Sequence, residues 1–150
     1  MAAVVGSVDW SKYELMSGSA AHFGERLTEF LANDHSVSGQ ELWFSMENQV
    51  FAQDDIYSAS EPTITVLLAA LVEESPPGVR LGLIDLLFHL VNGASLGDDA
   101  LARRCLDRAR EGAWLLVREA LHGSAVMRES CLEILDLCSP ECAVIVRASA

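Results

Sequence analysis

The first half of this chain almost lacks positive charge. Residues 1–79 carry twelve acids against two bases, Lys12 and Arg26, a net −10. Residues 80–150 carry ten acids against eight arginines, a net −2. Without clustered Lys and Arg to neutralise phosphates, nucleic acid is not an expected partner. The same field repels anionic membrane surfaces. A basic protein is the partner that such a surface attracts.

Other absences narrow the chemistry. No Gly-rich phosphate loop, nucleophile elbow or zincin motif is present. The four histidines, His22, His35, His89 and His122, fall in no metal-pair spacing. Cysteine occurs only in the last third, at Cys105, Cys131, Cys138 and Cys142, outside any turn-rich disulfide framework. Cys138 and Cys142 lie one helical turn apart, but a zinc site needs two further ligands and the spacing matches no finger. No metal or cofactor is expected. Of the two apolar runs, Ile64–Val72 is too short to span a bilayer, and Val79–Val91 is interrupted by Asp85 and His89. The N-terminus is apolar only as far as Val8 and has no basic leader. The expectation is a soluble, cytoplasmic protein.

What is present is helix after helix. With 51% apolar residues, the chain can bury a core and is not intrinsically disordered. Residues 1–18, punctuated by Gly and Ser, read as an irregular arm, pinned to the body by Trp10 and Tyr13. Residues 19–150 read as one helical domain. Phe23, Leu27, Phe30 and Leu31 mark an amphipathic helix over 20–32. Ser36 or Ser38 caps a second, with Glu41 at capping-box spacing from Ser38; it would turn Leu42, Trp43, Met46 and Val50 inward. A connection over Phe51–Ser60 follows. Glu61-Pro62 opens a third helix through Leu71, and a fourth runs from Pro77 to Val91, ended by Asn92-Gly93. A long stretch from Asp98 or Asp99 to His122 is bent or divided at Gly112. Helices over 125–138 and Glu141–Arg147 complete the chain. No strand alternation persists, so the fold class is all-α.

The pattern repeats. At an offset of 48, Arg80 aligns with Arg128, Leu83 with Cys131, Ile84 with Leu132, Asp85 with Glu133 and Leu87 with Leu135. A looser offset of 40 sets Leu27 with Leu67, Leu31 with Leu71 and Met46 with Leu86. Helical hairpins recurring at about 40–47 residues are typical of HEAT-type solenoids. Together with the stretch Glu47-Asn48-Gln49-Val50-Phe51 to Tyr57 and Glu61-Pro62, they make the chain resemble the small bacterial HEAT-like repeat proteins over roughly Ala20–Leu137. In those, a hairpin is followed by an Asn-Gln-bearing loop, a Tyr and a Pro-led helix. Relatives with this look often carry Gly where Asp54 or Asp55 stands, so this loop is more acidic than the pattern requires. The resemblance implies a short α-solenoid of about three hairpins. The second helix of each pair would line a concave face, which places the polar residues of 38–52, 79–91 and 125–138 around one groove. Hairpins that cannot bury their apolar faces alone must stack.

The candidate contact surface is the acidic connection and its flanks: Glu41, Glu47, Phe51, Asp54, Asp55, Ile56, Tyr57, Glu61 and Asp85. Phe51, Ile56 and Tyr57 interleave apolar area with charge, as interface centres do. As a divalent-cation site the same acids are less convincing, since no twelve-residue calcium loop is present. Arg103, Arg104, Arg108, Arg110 and Arg118, interleaved with Asp98, Asp99, Asp107, Glu111 and Glu119, read as a solvated mixed-charge face. Trp114-Leu115-Leu116-Val117 reads as core, His89 as a partly buried side chain, and His122 as a helix C-terminal residue suited to the dipole.

Small size, acidity and a repeat-built groove point to a non-enzymatic binding protein. In sharper form, they point to an immunity-type inhibitor that captures a basic toxin domain of its own bacterium, because charge complementarity speeds capture. A scaffold or adaptor of a cellular complex is the alternative. A HEAT-like enzyme, of bilin-lyase or glycosylase type, would instead show a pocket of convergent perturbed carboxylates or an Arg-lined groove.

Overall fold

The computed structural model describes residues 2–32, 46, 47, 49–53 and 55–149. Among these, helices dominate, and the only strands form two hairpins of two residues per strand. In chain order the elements are α1 (Ala2–Gly6), a 3-10 turn (Trp10–Lys12), β1 (Glu14–Leu15), β2 (Gly18–Ser19) and α2 (Phe23–Ala32). Then come β3 (Phe51–Ala52), β4 (Asp55–Ile56), α3 (Ser60–Ala70), α4 (Pro77–Leu96), α5 (Ala100–Glu111), α6 (Ala113–His122), α7 (Ala125–Cys138) and α8 (Pro140–Ala148). Residues 38–45 and 48 of the expected helix over 38–50 lie outside the described residues, while Met46 and Val50, expected to turn inward, are buried.

The N-terminal arm is more ordered than its Gly and Ser content predicts. Val5, Trp10 and Leu15 are buried, and the Trp10 indole donates to the Val5 carbonyl at 3.0 Å. Its ring meets Phe23 edge-on, with centroids 5.2 Å apart. Only glycine fits at position 24, where a Cβ would come within 2.3 Å of that indole. β1 and β2 pair antiparallel, Glu14 opposite Ser19, with Gly18 at φ +117°. Strands this short cannot produce a readable alternation, and they were not expected from the sequence.

One core runs from the N-terminal arm and α2 through α3 to α8. α4 is its central helix and packs against α3, α5 and α7. It does not stop at Asn92-Gly93 but continues to Leu96. The helical cost of Gly93 is about 1 kcal/mol, and the fully buried Val91 and Ala94 extend the packed face past it. α4 is long and apolar enough to cross a membrane, yet half of its most apolar window is buried inside the fold. The stretch from Asp99 divides at Gly112 as expected, because Leu68 of α3 presses there: a Cβ would lie 2.5 Å from its Cδ1. Side-chain caps start α5, where Asp99 accepts from the Ala102 amide as the sequence suggested, and α7, where Ser124 accepts from the Met127 amide.

Arginines close several helix C-termini. Arg80 and Arg118 donate to the Leu71 carbonyl at the end of α3, Arg110 to Cys138 at the end of α7, and Arg128 to Val146 near the end of α8. A cation bonded to terminal carbonyls satisfies orphan acceptors and complements the dipole. Arg80 and Arg128, paired by the 48-residue offset, make the same kind of bond.

Candidate functional site

The described part of the acidic connection is a β-hairpin laid against α4. Phe51 faces Ile56 and Ala52 faces Asp55, while Gln53 turns the chain at φ +54° in the left-handed region. Ser60 anchors the hairpin to α3. Its buried hydroxyl donates to the Val50 carbonyl at 2.6 Å and accepts the Tyr57 amide at 3.1 Å. The arm braces the other side: Ser58 Oγ accepts the Glu14 amide, Gln49 O accepts the Met16 amide, and Arg26 donates to Gln49 Oε1 at 2.6 Å.

These ties change the roles of several candidate residues. Phe51 is not an exposed apolar contact. It is buried and stacks on His89 of α4, with ring centroids 5.2 Å apart and an interplanar angle of 3°. Ile56 and Tyr57 are half-buried. Glu61 is engaged inside the fold, bound by Arg104 at 2.8 Å and approached by Arg108 at 3.8 Å, an ion-pair link from α3 to α5. Glu47 is half-buried and bridges to Phe51. Asp55 and Asp85 are the exposed acids. Asp85 lies 4.0 Å from His89 Nε2, so the Phe51–His89 stack seats the hairpin beside the turn of α4 that carries Asp85. Glu41 and Asp54 lie outside the described residues. Of the apolar centre expected of this surface, Phe51 is thus turned into the core, while Ile56 and Tyr57 stay partly exposed beside the acids.

The sequence missed the principal polar cluster. Glu119, read as part of a solvated face, is 7% exposed. Its carboxylate receives Arg80 in a fork, Nε at 2.9 Å and Nη2 at 2.5 Å, and Arg118 through Nη2 at 2.9 Å. Burial alone would raise the Glu119 carboxyl, but the hydrogen bonds from Arg80 and Arg118 outweigh it and hold it below its ordinary value. Arg80 also donates to the Glu73 and Leu71 carbonyls, so one guanidinium ties α3, α4 and α6 together. The neighbouring Arg118 does not signal this burial, since the fork comes from Arg80, 39 residues away.

Trp114, assigned to the core, is 65% exposed, whereas Leu116 and Val117 are buried as expected. All four cysteines are free and buried. Burial pushes the Cys105 and Cys131 thiols up to about 12 and Cys138 up to about 11, far from a reactive thiolate. Among the described residues no cluster of His, Cys, Asp and Glu could hold a metal ion. His122 ends α6 and is exposed.

Searches against protein-family models, curated proteins and solved structures return no match to this chain.

Proposed function

We propose that this protein is a non-enzymatic, HEAT-like binding module that captures a basic protein partner, in the manner of an immunity-type inhibitor of a toxin domain. One observation carries the reading: the −10 charge of residues 1–79 continues onto exposed acids, Asp55 and Asp85, presented by a hairpin and helix that are themselves firmly braced. A fixed acidic surface raises the encounter rate with a basic patch and discriminates against other partners.

The solenoid part of the reading is supported by the packing of α4 against α7, the two helices related by the 48-residue offset, and of α6 against α8. Glu119, the buried carboxylate, is locked between two guanidiniums with its pKa lowered, the reverse of a general acid or base tuned toward neutrality.

The test uses purified wild type and the Asp55→Lys/Asp85→Lys variant as bait, side by side, with the product of the adjacent gene as first candidate. A basic protein held by wild type should associate several-fold more slowly with the variant, and the difference should shrink as salt rises. Equal rates at low salt would reject this docking face.

A further inference from the structure

A half-open cleft of about 630 Å³ lies where the start of α4, the end of α6 and the start of α7 meet. Its size falls within the usual range for small-ligand sites, roughly 300–1,000 Å³. Pro77, Leu81 and Met127 supply apolar wall, and Arg80, Arg118 and Glu119 supply the polar end.

The charge count there reverses that of the rest of the molecule. Two guanidiniums meet one carboxylate, so one positive charge is left over. Arg80 gives four hydrogen bonds, two to Glu119 and two to backbone carbonyls. Arg118 binds Glu119 and Leu71 through Nε and Nη2, which leaves Nη1 as a donor on a half-exposed side chain. The first turn of α4 lines the same cleft through Pro77, which has no N–H, and Gly78, whose amide has no side-chain cap. A cationic head beside an apolar wall recognises an amphiphilic anion and rejects its neutral counterpart.

We propose that this cleft binds a single carboxylate carried on an apolar body, with Arg118 as the charge contact and Leu81 and Met127 against the body. The source of that chemistry is either a free organic acid or the C-terminal residue of an apolar peptide. The site uses none of the exposed acids of the acidic surface and does not depend on a basic partner.

Decanoate, decanol, and a peptide ending in Phe-Leu with either a free or an amidated terminus serve as probes, read by calorimetry and by NMR shifts of the Leu81 and Met127 methyls. Saturable decanoate binding, weakened about tenfold by Arg118→Gln, would support a free acid. Preference for the free-terminus peptide over its amide would support a chain terminus. Gly78→Glu adds a negative charge at a residue that lines the cleft and where a Cβ meets no atom within 4 Å, so the fold is kept and either signal should weaken. Arg118→Gln leaves the Arg80–Glu119 fork intact, so the variant stays folded. No binding by any acid probe, equal binding of decanol and decanoate, or binding indifferent to both substitutions would overturn the proposal.

Discussion

Removing the Glu119 carboxylate is the most informative perturbation of the fold. Glu119→Ala takes away the acceptor of the Arg80 fork and of Arg118, and leaves Arg80, whose side chain is 18% exposed, beside a void. Breaking a buried pair by deleting one partner typically costs about 3–5 kcal/mol. Arg80 keeps its bonds to the Leu71 and Glu73 carbonyls and Arg118 turns to solvent, so the low end applies, about 3 kcal/mol. For a chain of this size that lowers Tm by roughly 6–12 °C. Urea unfolding followed by circular dichroism measures it, with the exposed Glu129→Ala on α7 as control, expected within about 0.5 kcal/mol of wild type. The pair Arg80→Met/Glu119→Leu should recover part of the loss, because it removes the unpaired charge but also the bonds to the Leu71 and Glu73 carbonyls. The pH dependence follows from sign. Folding lowers the Glu119 pKa below its ordinary 4.5, so its contribution is fully present above that value and is lost as pH falls through the folded pKa. Glu119→Gln should flatten the acid limb of the stability curve. A cost below about 1 kcal/mol for Glu119→Ala, or an unchanged acid limb, would refute the reasoning.

Three further outcomes are expected. Gly24→Ala drives a methyl into the Trp10 indole and should destabilise by about 1–3 kcal/mol, with a shift in tryptophan fluorescence as the ring is displaced. Gln53→Gly relieves a left-handed residue at the turn of the β3–β4 hairpin and should raise stability by up to about 1 kcal/mol in the same urea assay. With burial holding the thiols of Cys105 and Cys131 near 12, a disulfide reagent at pH 8 should leave both unmodified in the folded protein and label all four cysteines after unfolding.

The helices from α3 onward were legible because their signals are local. Pro62, Pro77, Asp99, Ser124 and Pro140 sit at or beside their starts, and Gly112 and Gly123 at their ends. The overrun of α4 through Gly93 was not, since packing of Val91 and Ala94 decides it. The candidate surface was legible in its charge and illegible in its apolar part. Phe51 and Ile56 alternate with polar neighbours whether they face solvent or α4, and only the tertiary stack on His89 settles the direction. The Arg80–Glu119–Arg118 cluster and its cleft depend on residues far apart in sequence, which periodicity cannot join. Trp114 shows the reverse error: an aromatic in an apolar run is expected to be buried, yet it lies on the outer side of α6.

The central claim, capture of a basic protein by the acidic surface, is tested most directly by the association rate of the purified protein with the basic protein it retains, measured by stopped flow across ionic strength for wild type and Asp55→Lys/Asp85→Lys. The account predicts a wild-type rate that falls steeply with salt and a variant rate several-fold lower at low salt, the two converging at high salt. A rate independent of salt and of both substitutions would contradict it.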